Sequence, residues 1–449
     1  MSLTTFFGLL GGLLVLAFVA NRLAKRTRVP DVLVLLATGV IIGPILHWVD
    51  AAKFQGATHG FGTLALILIL FEAGLELDIR DTLRHFPGGI LLAFLSFGLS
   101  LAAVALYVHQ AMGLTRSDAL LVGSVTACIS SSVLLPVLQQ LDLRRPMKVT
   151  LIVEASLSDA LGVLAVGMFL DLAGGAGSST AANFPSLLLK AGISAGGHGS
   201  ILRGVAASFA VKVLISLLLA GVAGVLWSRL LPHLSEQRFW QVLTFAAVLL
   251  VYAGSDAIGG SNLFTVVAFG ATLANFPGKS RIEDASPFAA FTKLFDHQQQ
   301  LLTFHSELAF LVRTFFFVLL GAIIDFHSLR ANALYAAGVV AALFLARVVS
   351  VQMSRVVWRG ISAREREAAT LLIPRGLITA VLALEVVSAH KDKFEFLLPM
   401  SFAVILITNL LLPIAAIRTA GADQSIEATA EITESPAPSS EQTPDLPTG

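Results

Sequence analysis

The sequence predicts an all-α polytopic membrane protein with thirteen transmembrane helices. Apolar residues make up 56% of the 449 residues and charged residues only 13%, whereas a soluble domain carries about 25% charged residues. The apolar residues fall into thirteen runs, each long enough to form a membrane-spanning helix. Lys and Arg are concentrated in alternate loops between these runs, as the positive-inside rule requires of a polytopic protein.

The predicted spans are separated by loops that carry charges, Gly or Pro. The first span is followed by Arg and Lys rather than by a cleavage site, so we interpret it as a retained helix. In chain order the spans cover approximately residues 3–21, 31–48, 60–77, 88–109, 117–140, 149–172, 202–229, 239–254, 260–276, 306–325, 331–353, 367–389 and 395–417.

Loop charge predicts the orientation. With the N-terminus outside, the inner loops carry nineteen Lys and Arg residues and the outer loops seven. We therefore expect the C-terminus in the cytoplasm. We also expect the protein in a bacterial inner (plasma) membrane. Residues 1–420 are predicted to form the transmembrane domain. Residues 421–449 lack Lys and Arg, are rich in Pro, Ser, Thr and Glu, and are predicted to be a disordered cytoplasmic tail.

The order of the spans suggests two inverted six-helix repeats, spans one to six and eight to thirteen, joined by the seventh. Many secondary transporters are built this way and bind their substrate where two interrupted helices meet. The fifth span holds a polar, small-residue stretch within residues 124–132, which includes Thr126, Cys128 and Ser132. The twelfth holds Pro374 and Gly376. Both lie in the fifth span of their repeat, so we predict that they form crossed, discontinuous helices.

Two carboxylates, Glu154 and Asp159, lie within the apolar sixth span. A charge at that depth costs at least a few kcal/mol, so it marks a candidate functional site. Five helical positions separate the two groups by about 140°, so they cannot share one site. One can face a substrate pathway and the other a neighbouring helix. The alternative is that both are structural, ion-paired carboxylates.

Asp159 is expected beside the break in the fifth span. Its carboxylate, the hydroxyl groups of Ser130 and Ser131 and unwound carbonyl groups would form a hard oxygen site, which suits a small cation such as sodium. The same carboxylate can bind a proton, and competition between proton and cation then produces exchange. The alternative interpretation of the Ser cluster is helix packing by small residues.

Arg375 lies deep in the twelfth span and needs acidic partners. Glu154 and Glu72 are the candidates, and we predict that the three form a structural ion-pair cluster. Lys212 and Arg347 also lie deep enough to need a partner, which the sequence does not identify.

Five motifs in order resemble the monovalent cation:proton antiporter superfamily, of the sodium/proton exchanger type. The resemblance covers residues 5 to 417. One motif is the segment Glu154-Ala155-Ser156-Leu157-Ser158-Asp159, which is similar to the family's Glu-Ser-x-x-Asn-Asp signature. The other four motifs are residues 28–44, 71–75, 315–321 and 374–377.

The resemblance implies a homodimer in which a core domain moves like an elevator against a dimerisation domain. It also implies that Asp159 binds the ion, with Ser158 and Ala155 in the same signature, and that Glu154, Glu72 and Arg375 form a clamp. Ser158 replaces the usual Asn or second Asp, so we predict electroneutral one-for-one exchange. The break lacks the family's usual Thr-Asp-Pro and is closer to the potassium-efflux branch, which leaves potassium open.

We therefore predict a secondary antiporter that exchanges sodium or lithium for protons, in which Asp159 is the charged ligand of the monovalent cation. Potassium/proton exchange is the alternative, and sodium-coupled symport of an organic anion is more remote, because the crossing offers little room and no anion-facing group. An intramembrane protease is disfavoured, since every His lies at a span end or in a loop. We expect no cofactor beyond the transported ions and no nucleic-acid partner.

Overall fold

A computed structural model describes residues 3–27, 30–48, 51–76, 87–141, 143–173, 198–234, 238–275, 287–355 and 361–420. All regular secondary structure in these ranges is helical, which confirms the predicted fold class. Residues 421–449 lie outside the described residues, so the disordered tail stays a prediction.

The first half of the chain forms helices α1 to α7. A short π-helix, Ile41–Ile45, continues α2 around Pro44. The α-helices are α1 (Leu3–Thr27), α2 (Asp31–Val40), α3 (Ala51–Glu76), α4 (Pro87–Met112), α5 (Arg116–Ala127), α6 (Ser131–Gln140) and α7 (Arg145–Ala173). The predicted fifth span is thus divided between α5 and α6.

The second half forms helices α8 to α16. They are α8 (His198–Leu234), α9 (Trp240–Ala257), α10 (Asn262–Asn275), α11 (Pro287–Ala322), α12 (Phe326–Ser354), α13 (Ala363–Leu371), α14 (Leu377–Ala389), α15 (Lys391–Phe394) and α16 (Leu397–Ala420). The predicted twelfth span is divided between α13 and α14.

Among the described residues, eight helical segments are long and apolar enough to cross a membrane. Five shorter apolar helical segments fall within predicted spans one, two, three, nine and twelve. The chain is therefore a multi-pass integral membrane protein, while the count of thirteen crossings stays a prediction.

Glycines bring two pairs of helices into backbone contact. A Cβ on Gly39 of α2 would lie 2.2 Å from a carbonyl oxygen of α11, and one on Gly321 of α11 would lie 2.4 Å from a carbonyl oxygen of α2. Gly74 of α3 and Gly270 of α10 make the same kind of contact, at 2.3 and 2.6 Å. Small residues at such crossings let membrane helices pack closely.

These two contacts agree with the predicted repeat. Helices α2 and α11 are spans two and ten, and α3 and α10 are spans three and nine. In the predicted repeat, span two corresponds to span nine and span three corresponds to span ten. The contact between spans two and ten therefore corresponds to the contact between spans nine and three. The contacts support the inverted repeat, which stays a prediction.

Candidate functional site

The helix formed by α5 and α6 is interrupted within the bundle. Helix α5 ends at Ala127 and α6 begins at Ser131, and both Cys128 (φ −67°, ψ 131°) and Ser130 (φ −76°, ψ 113°) are extended. The hydroxyl group of Thr126 donates to a carbonyl oxygen of the preceding turn at 3.1 Å. This bond keeps the Thr126 side chain within the last turns of α5 rather than in the break.

A second interruption separates α13 from α14, as predicted from Pro374 and Gly376. Two side chains of α16 form hydrogen bonds with the backbone groups of Arg375, which lie between the two helices in this break. Its N–H donates to the hydroxyl oxygen of Thr408 at 3.2 Å, and its carbonyl oxygen accepts from the amide nitrogen of Asn409 at 2.7 Å. Neither residue was a predicted site residue, because a polar group in the thirteenth span gives no sign of which backbone it will satisfy.

The two interruptions touch each other. The N–H of Ser130 donates to the carbonyl oxygen of Pro374 at 2.9 Å. Gly376 is required at this point, because a Cβ there would lie 2.3 Å from the hydroxyl oxygen of Ser130. The structure thus brings the two predicted breaks together at one crossing.

Asp159 of α7 lies beside the crossing and is 1% exposed. Its Oδ2 accepts a 2.6 Å hydrogen bond from the hydroxyl group of Ser131 and a 3.4 Å bond from the Ser131 N–H. Ser131 is the first residue of α6, so the positive end of that helix dipole favours the carboxylate. Oδ1 has no hydrogen-bond partner among the described residues, which leaves one carboxylate oxygen available to a proton or a cation.

Two neighbours fix α7 against the first break. The hydroxyl oxygen of Ser158 accepts a 3.0 Å bond from the N–H of Ile129. Gly162 lets the thiol of Cys128 pack against α7, since a Cβ there would lie only 1.8 Å from the sulfur. The side chain of Ser158 therefore holds the backbone of the break at Ile129. The thiol of Cys128 packs against α7 and donates weakly to the carbonyl oxygen of Ser124.

The predicted ion pair between Glu154 and Arg375 is wrong. Glu154 is fully buried and pairs with Arg347 of α12. Both terminal nitrogens of the guanidinium group, Nη1 and Nη2, donate to the carboxylate, with Nη2 at 3.0 Å from Oε2. Arg347 also donates to the carbonyl oxygen of Ala369 at 2.7 Å and to the hydroxyl group of Ser96 at 3.0 Å. This arginine therefore joins α7, α12, α13 and α4, and Glu154 is the partner of Arg347 that the sequence did not identify.

Arg375 is also buried, with 1% exposure. Its Nε and Nη1 have no hydrogen-bond partner among the described residues, and its charge interacts with those of Asp159 and Glu154. It adds positive potential near the crossing without directly pairing with Glu154.

A cavity of about 550 Å³ reaches the crossing from one side. Its wall includes Ser131 and Ser132, and also Ala155 and Glu72. Glu72 therefore lines the same cavity as Ser131, and its place in a cluster with Arg375 stays a prediction. Because Ser131 both lines this cavity and bonds to Asp159, the cavity leads to within one side chain of the carboxylate.

Comparisons with known proteins extend over nearly the whole chain. The family model "Sodium/hydrogen exchanger, transmembrane" matches residues 13–418. The Na⁺/H⁺ antiporter 1 of Methanocaldococcus jannaschii is 26% identical over 398 residues, 86% of this chain and 84% of that protein. A K⁺/H⁺ antiporter of Shewanella sp. (strain MR-4) is 20% identical over 430 residues, 95% of this chain and 68% of that protein.

The fold also matches a solved structure, that of the sodium proton antiporter from Methanocaldococcus jannaschii at pH 8. The TM-score is 0.72 at 21% identity, and the match covers 94% of this chain and 99% of that one. The helical arrangement described above is therefore similar to that of the solved antiporter.

Proposed function

The chain belongs to the sodium/hydrogen exchanger family of membrane transporters, and we propose that it exchanges sodium or lithium for protons, which compete at Asp159. It is a cation/proton antiporter and not an enzyme. The name of the Methanocaldococcus jannaschii relative supports sodium as the exchanged cation.

One observation carries the proposal: the two oxygens of the buried Asp159 carboxylate have different environments. Oδ2 is held by Ser131 at the N-terminus of α6, while Oδ1 has no partner among the described residues. A single carboxylate in this state can be neutralised by one proton or by one monovalent cation. Because the uncompensated charge is costly inside a membrane, the loaded forms cross more readily than the empty one, and this preference couples the two flows.

The rest of the molecule supports an elevator-like movement in a homodimer. The two breaks, α7 and α16 are tied by hydrogen bonds at the crossing, so they can move as one body. Helix α8 exposes large apolar side chains, including Leu218 (60%) and Val222 (68%), which suits a surface against lipid or a second subunit. With the N-terminus outside and the C-terminus in the cytoplasm, the cavity beside Ser131 is the cytoplasmic route to Asp159.

Exchange in proteoliposomes tests the proposal. A trapped pH dye reports proton movement while sodium, lithium or potassium is added to vesicles with an imposed pH gradient. We expect sodium and lithium to collapse the gradient in the wild type and no cation to do so in Asp159→Asn. Asp256→Asn is the matched control, because Asp256 is an exposed carboxylate at the end of α9. An active Asp159→Asn protein would show that the shared site lies elsewhere.

Potassium/proton exchange is the second candidate. The first break offers hydroxyl groups rather than a second carboxylate, and a Shewanella relative that covers 95% of this chain is named a K⁺/H⁺ antiporter. A response to potassium at concentrations where sodium has none would establish this alternative, with Asp159 in the same role.

A further inference from the structure

An ion pair joins the two discontinuous helices at one end of the bundle. Asp118 is the third residue of α5, behind the N-cap Thr115, whose hydroxyl oxygen accepts from the Asp118 N–H. Its carboxylate is 1% exposed, and Oδ1 lies 2.8 Å from Nζ of Lys393. Lys393 belongs to α15, directly after α14. This pair therefore ties the start of the first discontinuous helix to the end of the second.

A second ion pair joins the same two helices at the opposite end. Glu365 is the third residue of α13, and with the N-cap Ser362 it forms a capping box. Its carboxylate, 5% exposed, accepts from Nε of Arg144 at 2.7 Å and also from Nη2. Arg144 lies in the corner between α6 and α7. This pair ties the start of the second discontinuous helix to the end of the first.

The two pairs have the same construction. Each acid stands third in the leading half of a discontinuous helix, behind a hydroxyl N-cap, and each base follows the trailing half of the other. Exchanging the two predicted repeats converts one pair into the other. Between the two ends lies the crossing, where Ser130 bonds to Pro374. The two helices are thus joined at three levels.

We propose that the pairs Asp118–Lys393 and Arg144–Glu365 are positioning elements that hold the two discontinuous helices as one body and so fix Ser131 against Asp159. The inference rests on the proposed function, because its consequence is the affinity of the Asp159 site. Arg144 acts most directly. The α6–α7 corner that it occupies lies between the helix that carries Ser131 and the helix that carries Asp159.

Because the acids are buried, the loss of either base is expected to disturb the helix ends that the pair joins. The bases are half exposed or more, with 50% for Lys393 and 61% for Arg144, whereas the acids are nearly inaccessible. Removal of a base leaves a buried carboxylate without its compensating charge, which costs more than the loss of an exposed pair. We therefore expect the helix ends to separate when a base is removed, until water reaches the acid.

The Arg144–Glu365 pair stays charged at physiological pH. The hydrogen bond from Arg144 lowers the pKa of Glu365 to about 2, compared with about 4.3 for an unperturbed Glu. A lowered pKa stabilises the folded state at pH values above the unfolded value, and this contribution disappears only as pH falls through about 2. Between about pH 5 and pH 9 the ion pair therefore keeps its charges and does not act as a pH switch.

Transport kinetics distinguish positioning from simple structural support. In proteoliposomes we expect Arg144→Gln and Lys393→Gln each to raise the cation KM about fivefold and to change the maximal rate by less than about twofold. Lys393→Arg keeps the charge and is expected to restore the KM. Arg145→Gln, which removes a charge from the neighbouring exposed residue, is the matched control. If the variants unfold at a lower temperature but keep the wild-type KM, the inference is overturned.

A disulfide tests whether the helix ends stay together during transport. The chain contains one cysteine, Cys128, which is buried, so Asp118→Cys combined with Lys393→Cys adds one pair of thiols at this end of the bundle. We expect the oxidised protein to exchange at the wild-type rate within about twofold. Loss of exchange on oxidation that returns on reduction would show that the ends must separate, and would overturn the single-body inference.

Affinity can also be measured without transport, from the rise in melting temperature that a bound cation produces. If the wild type shows this rise but no exchange, the proposed function fails while the positioning inference is still decided by the variants. A rise that needs the same cation concentration in Arg144→Gln as in the wild type would overturn the inference alone.

Discussion

At the scale of single residues, we expect Ser131 to influence how strongly Asp159 prefers a cation to a proton. Its hydroxyl group donates to the ionised carboxylate at 2.6 Å, and a hydrogen bond to a charged group contributes about 1.5–3 kcal/mol. In Ser131→Ala the proton competes better, so we expect half-maximal exchange to need a pH about one unit higher. The pH profile of exchange in proteoliposomes checks this result. Ser132→Ala is the control, because Ser132 bonds to Ser130 and not to Asp159.

The crossing depends on the absence of a side chain at Gly376. In Gly376→Ala the new methyl group would lie 2.3 Å from the hydroxyl oxygen and 2.8 Å from the Cβ of Ser130, so the breaks must move apart. We expect exchange to fall more than about tenfold, since small misplacements at a binding site are costly. Gly167→Ala is the control, because a Cβ there meets no atom within 4 Å.

Adding Ser130→Gly to Gly376→Ala removes the clashing side chain and is expected to recover part of the exchange. A fully active Gly376→Ala single variant would show that close contact between the breaks is unnecessary.

At the scale of helices, the Glu154–Arg347 pair joins α7 to α12 through two fully buried side chains. Breaking such a pair leaves one buried charge and costs about 3–5 kcal/mol. We therefore expect Arg347→Gln to lower the melting temperature in detergent strongly. Arg355→Gln, at the exposed end of the same helix, should change it little. The double variant Glu154→Gln with Arg347→Met should melt above either single variant, and additive losses would contradict a direct pair.

The same pair shows where prediction from the sequence stops. The two breaks and Asp159 were found because Ser clusters, Pro-Gly and a carboxylate each depart locally from an apolar run. The partner of Glu154 was missed because helical periodicity gives the angle of a residue around its own helix, but not the identity of the helix that faces it. Arg347 and Arg375 both lie deep in apolar spans, and the Pro and Gly beside Arg375 do not tell which of the two arginines faces Glu154. Three-dimensional packing made that choice.

At the scale of the whole molecule, we expect the charge moved in each cycle to depend on the number of carboxylates beside the crossing. Ser158 beside Asp159 carries no charge, so we expect one proton to be exchanged for one monovalent cation. We expect the initial exchange rate to be the same at zero voltage and at an imposed potential of about 100 mV, because a net charge would add about 2.3 kcal/mol per cycle. A rate that changes with voltage would contradict electroneutral exchange, and Ser158→Asp gives a comparison in which a second carboxylate is present.

The position of Cys128 gives the protein a built-in chemical reporter. Its thiol is buried in the first break against Gly162 of α7. A maleimide in solution therefore reaches the thiol only while the break and α7 are separated. The rate of alkylation thus measures how often the crossing loosens, in native protein and without an attached label. Comparing this rate in sodium and in choline would time the opening of the site during the transport cycle.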